Sequence, residues 1–312
     1  MMRETHGKWW QSGLVLVAAA TFAIAFKGIF ARLIYQYGVP VDTVLIWRFF
    51  LAVPLFWIVA RWLTRGQPPV RLSPRQWFLC ALTGALFFVS AWCDFHAIAA
   101  LGASVSRMVL YLFPALLMVI QAAEQRRLPG AAQLAVFAVA WTGIALLLLP
   151  GWHGGTLSLA GLLYGFGAAT CYAVFWRISQ SLTVPLGSVR FNQFSNSFTL
   201  LFMAAFLLPN TPATELAVSA PAFAWILVLV VFSTVLPFFL LFEGLRRADA
   251  AEAGVVAMFG PVVTISAAML VFPDERLGPL QWLGAALILA SIGALKLVKS
   301  RRSETAGLSP SN

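Results

Sequence analysis

The chain has 312 residues, of which 61% are hydrophobic and only 10% are charged. Soluble domains carry roughly 25% charged residues, so this composition excludes a secreted enzyme, a disordered regulator and a soluble nucleic-acid-binding domain. The net charge of +10 has to be interpreted from where the basic residues lie along the chain.

Ten apolar segments, each long enough to cross a bilayer as a helix, follow one another between turn signals. Barrel strands would be shorter and would alternate in polarity, so only helices fit this pattern. The predicted spans are 12–34, 41–61, 75–99, 104–122, 131–149, 157–178, 189–208, 221–245, 252–272 and 279–298.

Lys and Arg residues are distributed unevenly over the connections between these spans. If the N-terminus is cytoplasmic, the inner connections contain most of them, including the arginines of residues 61–75 and the pair Arg246 and Arg247. The outer connections hold almost none, and this bias predicts ten spans with both termini in the cytoplasm. The high charge is therefore an orientation signal and predicts no nucleic-acid partner. The polar tail, residues 303–312, is predicted to be disordered.

Two blocks of the first half recur in the second half at nearly the same spacing. Residues 30–50 align with 175–195 at an offset of 145, and Pro114 aligns with Pro261 at an offset of 147. Five spans per half make the second half enter the membrane from the opposite side. We therefore predict an all-α integral membrane protein. Its ten transmembrane helices form two inverted five-helix repeats, residues 12–149 and 157–298, around a central cavity that is typical of secondary transporters. A duplication without a transport role is the alternative.

Charged residues at membrane depth are costly and are candidates for function. Lys27 and Arg48 lie about equally far from the first predicted hairpin turn, and Asp94 and Arg107 lie about equally far from the turn between spans three and four. All four are thus predicted in the outer half of the membrane. They form either a structural ion network or a site whose excess positive charge binds a substrate carboxylate.

Amides and aromatic rings supply further candidates. Asn192 and Gln193 make span seven unusually polar, and they either line a wet cavity or bond neighbouring helices. Deep aromatic side chains either pack in the core or line the cavity. The candidate substrate-binding residues are Lys27, Arg48, Asp94, Arg107, Tyr111, Tyr172, Trp176, Asn192 and Gln193.

No sequence motif indicates an enzyme. The chain has no phosphate-binding loop, no zinc-protease motif and no serine nucleophile elbow. We expect no cofactor and no metal. The leading hypothesis is a secondary transporter or facilitator that exports small polar metabolites. The alternatives are an exporter of drugs or nucleosides, a membrane-embedded enzyme that acts on a lipid-linked substrate, and a non-transporting scaffold.

Several short elements together resemble the drug/metabolite transporter superfamily in its ten-helix EamA form. The resemblance covers about residues 12–298 and is carried by residues 40–50 with Arg48, residues 95–98, Pro114, and the acidic element 274–277. It implies a monomeric multi-pass transporter of the bacterial inner membrane whose partners are a small-molecule substrate and the lipid bilayer. The superfamily includes YddG-like exporters of aromatic amino acids, so amino acids are the substrate class that the resemblance implies.

Overall fold

The computed structural model describes residues 12–66, 71–126, 128–149, 158–271 and 278–307, and every regular element in these ranges is helical. The helices are α1 Gly13–Ala25, α2 Lys27–Tyr35, α3 Val41–Leu63, α4 Pro74–Leu110, α5 Phe113–Gln125, α6 Ala131–Leu148, α7 Leu159–Leu186, α8 Ser188–Leu207, α9 Ala220–Val230, α10 Leu236–Arg247, α11 Ala250–Ala257, α12 Gly260–Val271 and α13 Pro279–Gly307. A π-helical turn, Val231–Val235, joins α9 to α10.

Helix length and hydropathy identify the chain as a multi-pass membrane protein. Eight helical stretches in the described ranges are long and apolar enough to cross a bilayer. Two shorter apolar helices, Ala250–Thr264 and Pro279–Ala294, occupy the positions of predicted spans nine and ten. The described lengths thus support eight spans, whereas the sequence predicted ten. The all-helical fold class is confirmed.

The α4 run turns back on itself. In a straight helix, residues 94 and 107 would be about 20 Å apart along the axis, yet Arg107 Nη2 lies 3.0 Å from Asp94 Oδ2. A Cβ at Gly165 of α7 would lie 2.9 Å from Val109 and 3.8 Å from Ala97, although twelve residues separate the last two. The two parts of α4 therefore run side by side against α7, as the separate spans 75–99 and 104–122 require.

Two other helices are interrupted at matching places in the two halves. The chain leaves helical geometry at residues 111–112, just before Pro114, and again at residues 258–259, just before Pro261. Proline lacks the N–H that would continue the helical hydrogen bonding, and its ring clashes with the preceding turn. The alignment of Pro114 with Pro261 is thus matched by two equivalent breaks.

A third interruption separates α1 from α2 at Phe26, where no proline occurs. The Ser233 hydroxyl donates to the carbonyl of Ala23 at 2.9 Å, and the Thr264 hydroxyl donates to the carbonyl of Ala25 at 3.0 Å. These hydroxyls satisfy carbonyl groups that a helix end leaves unpaired. The second half of the chain therefore stabilises a break in the first.

Contacts between helices follow a two-fold pattern. α1 packs on α10, and the corresponding helices of the other half, α7 and the first part of α4, pack on each other. Equivalent helices also pair across the halves, namely α3 with α8 and α6 with α13. The contact of α1 with α10 thus corresponds to the contact of α7 with α4 when the two halves are exchanged.

Close helix approaches in this arrangement depend on glycine. A Cβ at Gly13 would lie 2.6 Å from the carbonyl oxygen of Gly244, and a Cβ at Gly143 would lie 2.7 Å from that of Gly284. Small residues let the backbones of membrane helices approach in this way.

The C-terminal helix extends further than the sequence predicted. α13 continues to Gly307 and so includes the first residues of the segment 303–312 that was expected to be disordered. Lys, Arg, Glu and Ala in this stretch favour helix, which lets α13 propagate beyond its apolar part. Residues 308–312 and the acidic element 274–277 lie outside the described residues.

Candidate functional site

Six of the predicted site residues lie close enough together for their charges and hydroxyl groups to interact. They are contributed by α2, α3, both parts of α4, the α4–α5 junction and α7. We call them the charged group, and its members are Lys27, Arg48, Asp94, Arg107, Tyr111 and Tyr172. The sequence prediction that the four charged residues share one depth is consistent with this placement.

Asp94 and Arg107 form the ion pair of the charged group. Arg107 Nη2 lies 3.0 Å from Asp94 Oδ2, and the two side chains are 33% and 14% exposed, respectively. The second carboxylate oxygen, Asp94 Oδ1, is buried and receives no hydrogen bond from any residue that the structure describes. Buried polar atoms are normally hydrogen-bonded. This oxygen is therefore an open acceptor position.

Arg48 is buried, with 8% of the residue exposed. Its Nε donates to the Thr234 hydroxyl oxygen at 2.8 Å, and its guanidinium carbon lies 5.2 Å from the centre of the Phe49 ring. Its other N–H groups meet no acceptor among the residues that the structure describes. A guanidinium carries five N–H donors in a planar fork, so the two terminal amino groups remain available for a ligand.

Lys27 is the first residue of α2, directly after the break at Phe26. Within the described chain, its ammonium group has no ion pair or hydrogen bond, although Arg48, Arg107 and Asp94 lie within electrostatic range. Three cationic side chains therefore face one carboxylate. An uncompensated positive charge in a low-dielectric environment is costly, and an anionic ligand would offset that cost.

Aromatic rings pack beside the charged group. The Phe113 ring centre lies 4.9 Å from that of Tyr172 and 5.2 Å from that of Trp176. Trp176 is 1% exposed, and its indole Nε1 meets no acceptor in the described ranges. The predicted residues Tyr111, Tyr172 and Trp176 thus belong to one aromatic cluster, with Trp176 at its buried side.

The structure does not bring the two amide residues of α8 to this place. Asn192 is fully buried, and its amide donates to the carbonyls of Ser188 and, on α10, of Phe238, at 3.0 and 3.3 Å. Its environment is therefore a contact between helices and not a wet cavity. Gln193 is half-buried and makes no side-chain hydrogen bond to the charged group within the described chain.

Two residues near Arg48 were missed by the sequence analysis. Thr234 accepts the Nε–H of Arg48, and Tyr35 lies within electrostatic range of the same guanidinium. The polar pair Ser233 and Thr234, shortly before Pro237 in a strongly apolar span, is the sequence signal that could have identified Thr234.

Polar contacts join the two halves toward the other end of the molecule. Gln121 donates to Asp249 at 2.8 Å, and Arg177 pairs with Glu124 at 2.7 Å. We call these residues the basal polar cluster. Since α5 carries Gln121 and Glu124 away from the charged group, the cluster lies toward the end of α5 that is remote from the charged group.

A recess lies between α3, α4 and α8, with Asp42, Trp92 and His96 among its lining residues. It includes no member of the charged group. The case for the charged group as a binding site therefore depends on the unpaired oxygen of Asp94 and on the cations that lack partners in the described chain, and not on an enclosed volume.

Comparisons with known proteins agree on one family. The EamA-like transporter family matches residues 11–149 and 159–295, which correspond to the two halves. The uncharacterized transporter YcbK of Bacillus subtilis is 28% identical over 283 residues, covering 88% of this chain and 89% of the relative. The uncharacterized inner membrane transporter YicL of Salmonella typhimurium is 26% identical over 208 residues, covering 65% and 67%.

A solved crystal structure supports the fold. It superposes on this chain with a TM-score of 0.77, covering 93% of this chain and 98% of the other, at 17% sequence identity.

Proposed function

The chain belongs to the EamA-like transporter family, and we propose that it is a secondary transporter or facilitator that exports amino acids. The family and the names of the relatives identify a transporter and not an enzyme, which removes the membrane-enzyme alternative. The observation that carries the substrate class is the buried guanidinium of Arg48 with its terminal amino groups unpaired in the described chain.

A carboxylate is the ligand that fits Arg48. The two terminal amino groups can donate parallel hydrogen bonds to two carboxylate oxygens. Such bidentate pairs are among the strongest hydrogen-bonded interactions of arginine. Lys27 adds a second cation without a partner in the described ranges. Arg107 contributes less to the ligand because Asp94 already pairs with it at 3.0 Å.

An ammonium group on the same ligand would use the open acceptor. Asp94 Oδ1 is buried and receives no hydrogen bond from the described chain, and an ammonium could donate to it. A molecule that carries both a carboxylate and an ammonium group therefore binds the cations with its carboxylate and Asp94 with its ammonium group. The α-amino acids are the smallest common metabolites with this pair of groups.

The neighbouring rings favour an aromatic side chain on that amino acid. Tyr111, Phe113 and Tyr172 present aromatic faces and edges beside the charged group. Offset and edge-to-face contacts between aromatic rings stabilise by roughly 0.5–1.5 kcal/mol beyond the buried area. Phenylalanine and tryptophan are thus the preferred test substrates.

The architecture that we propose for this transport has ten spans in two inverted repeats. The two-fold helix pairs and the matching breaks before Pro114 and Pro261 support it, and the basic residues support cytoplasmic termini. The substrate would bind in a central cavity between the halves and reach either side by rocking of one half against the other. The membrane is the bacterial inner membrane, and the transporter acts as a monomer.

The motifs and acidic residues of the sequence indicate how transport is driven. The sequence has no phosphate-binding loop for ATP, and Asp94 is the main acidic residue at depth. Facilitated diffusion or exchange down the amino-acid gradient therefore suits this chain better than proton antiport. We expect no cofactor and no nucleic-acid partner.

A ligand-stabilisation screen tests the substrate class. Purified protein is heated with L-phenylalanine, L-tryptophan, 3-phenylpropionate, phenethylamine, nucleosides or drug-like cations. We expect the two amino acids to raise the melting temperature most, because a ligand of the folded state stabilises it by mass action. Stabilisation by nucleosides or drugs, with none by amino acids, would contradict the proposal and select the alternative exporter.

A further inference from the structure

The π-helical turn Val231–Val235 forms an unusual site in the second half. Pro237 follows it and cannot donate the N–H that an α-helix would send to the carbonyl of Ser233. The turn widens instead, and the Thr234 hydroxyl lies 3.3 Å from the carbonyl oxygen of Leu229, five residues earlier. Single π-turns of this kind are rare inside helices and occur frequently at functional sites.

This turn holds two parts of the first half through two adjacent hydroxyl groups. Thr234 accepts the Nε–H of Arg48 at 2.8 Å, and Ser233 donates to the carbonyl of Ala23, beside the α1–α2 break, at 2.9 Å. Both hydroxyl-bearing residues are fully buried. The hydroxyl of Thr234 can donate to Leu229 while its lone pairs accept from Arg48.

The hydrogen bond at Nε fixes how the guanidinium faces its surroundings. The group is planar, so the hydrogen bond from Nε to Thr234, together with the contact of the guanidinium carbon with the Phe49 ring at 5.2 Å, restricts the direction in which the terminal amino groups point. We propose that the π-helical turn is the positioning element of the carboxylate site, and that Thr234 is the positioning residue that orients Arg48. This inference rests on the proposed function, because it assigns Arg48 to a substrate carboxylate.

A double-mutant cycle tests the pairing without any substrate. Thr234→Val keeps the shape and removes the acceptor, which leaves the buried Nε–H of Arg48 unpaired and lowers the melting temperature. In an Arg48→Met background the same change should lower it clearly less, because the donor is gone. Equal losses in both backgrounds would overturn the pairing. Thr234→Ser keeps the hydroxyl and should match the wild type.

Transport kinetics test the positioning role. In liposomes, Thr234→Val should raise the KM for L-phenylalanine roughly tenfold, which equals the loss of about one hydrogen bond to a charged group, with a smaller change in kcat. The KM for L-phenylalaninol, which lacks the carboxylate, should change less than twofold. Thr234→Ser should restore the wild-type KM. The matched control is Ser233→Ala on the same turn, which should leave the ratio of the two KM values unchanged.

The outcomes separate this inference from the proposed function. If the wild type takes up L-phenylalanine saturably but Thr234→Val changes both substrates equally, the positioning role is wrong and the transporter proposal stands. If the wild type shows no saturable uptake of any amino acid, the proposed function is wrong, and the positioning role falls with it.

Discussion

Among the residues whose burial the structure describes, Arg48 is the one charged residue that is buried, with 8% of the residue exposed. The exposed arginines that pair with Glu243, by contrast, remain in contact with solvent. Transfer of an ion out of water costs several kcal/mol even after relaxation. One hydrogen bond to Thr234 does not offset this cost, and the anionic ligand that we propose would supply the missing stabilisation of Arg48.

Arg48→Lys tests whether two parallel hydrogen bonds are needed. Lysine keeps the charge but presents a point charge and cannot match both carboxylate oxygens. We expect the KM for L-phenylalanine in liposomes to rise roughly tenfold, which corresponds to about 1.4 kcal/mol. Transport of L-phenylalaninol should change little. Equal losses for both substrates would mean that Arg48 acts in packing and not in carboxylate binding.

Asp94→Asn tests the acceptor for the ammonium group. The amide keeps an oxygen toward Arg107 but removes the negative charge. Affinity for L-phenylalanine, measured by thermal stabilisation, should fall at least tenfold, whereas 3-phenylpropionate, which has no ammonium, should bind at least as well as to the wild type. A parallel loss for both ligands would assign Asp94 to the structural pair with Arg107 alone.

At the scale of single residues, the sequence predicted which residues belong to the charged group better than it predicted their hydrogen-bond partners. The position of four charges on two predicted hairpins led to the prediction of a shared depth, because helical rise and turn position fix distance from the membrane surface, and the structure brings these four residues together in the charged group. The partners of Asn192 and Arg48 could not be predicted, since both lie far along the chain on the α9–α10 span, which for Arg48 belongs to the other half. Long-range packing decided that Asn192 bonds a helix backbone and that Thr234 holds Arg48.

At the element scale, breaks in helices shape the molecule. Proline accounts for the breaks before Pro114 and Pro261, and the sequence shows both prolines. The break at Phe26 has no local signal, because it depends on hydroxyl groups of Ser233 and Thr264 from the other half. The hairpin inside α4 illustrates the opposite case, since hydropathy separated the two spans 75–99 and 104–122, whose boundary falls within the single range Pro74–Leu110.

Gly244→Ala tests the close packing of α1 on α10. A Cβ at this position would lie 2.7 Å from a methyl carbon of Val17 and 2.8 Å from the carbonyl oxygen of Gly13, and the backbone contact cannot yield cheaply. Overpacking of this kind typically costs about 1–3 kcal/mol, so we expect a melting temperature several degrees lower. Gly293→Ala is the matched control, because nothing lies within 4 Å of its added Cβ. Equal melting temperatures for the two variants would contradict this packing.

At the scale of the whole molecule, the two halves are joined asymmetrically. Helix contacts correspond when the two halves are exchanged. The cations of the charged group, however, all belong to the first half. The corresponding positions of the second half carry uncharged residues such as Tyr172 and Gln193. The basal polar cluster likewise lies at the end of α5 that is remote from the charged group. The cations of the charged group are therefore not repeated in the second half, so the proposed site has a net charge of one sign.

Reporter fusions test the proposed topology. Five spans per half place Gly154, in the connection between the halves, outside and the C-terminal Asn312 inside. A periplasm-active reporter should therefore be active after Gly154 and inactive after Asn312, and a cytoplasm-active reporter should give the reverse. The same side for both positions would contradict ten spans in two inverted repeats.

Counterflow of radiolabelled L-phenylalanine into liposomes loaded with the unlabelled amino acid tests the central claim most directly. The wild type should accumulate label transiently, and Arg48→Gln, which places in α3 the residue found at the equivalent Gln193, should lose at least nine-tenths of that rate at low substrate. Arg61→Gln, at an exposed arginine of the same helix, should transport like the wild type. Wild-type rates in Arg48→Gln, or no accumulation by the wild type, would contradict amino-acid transport through a carboxylate site at Arg48.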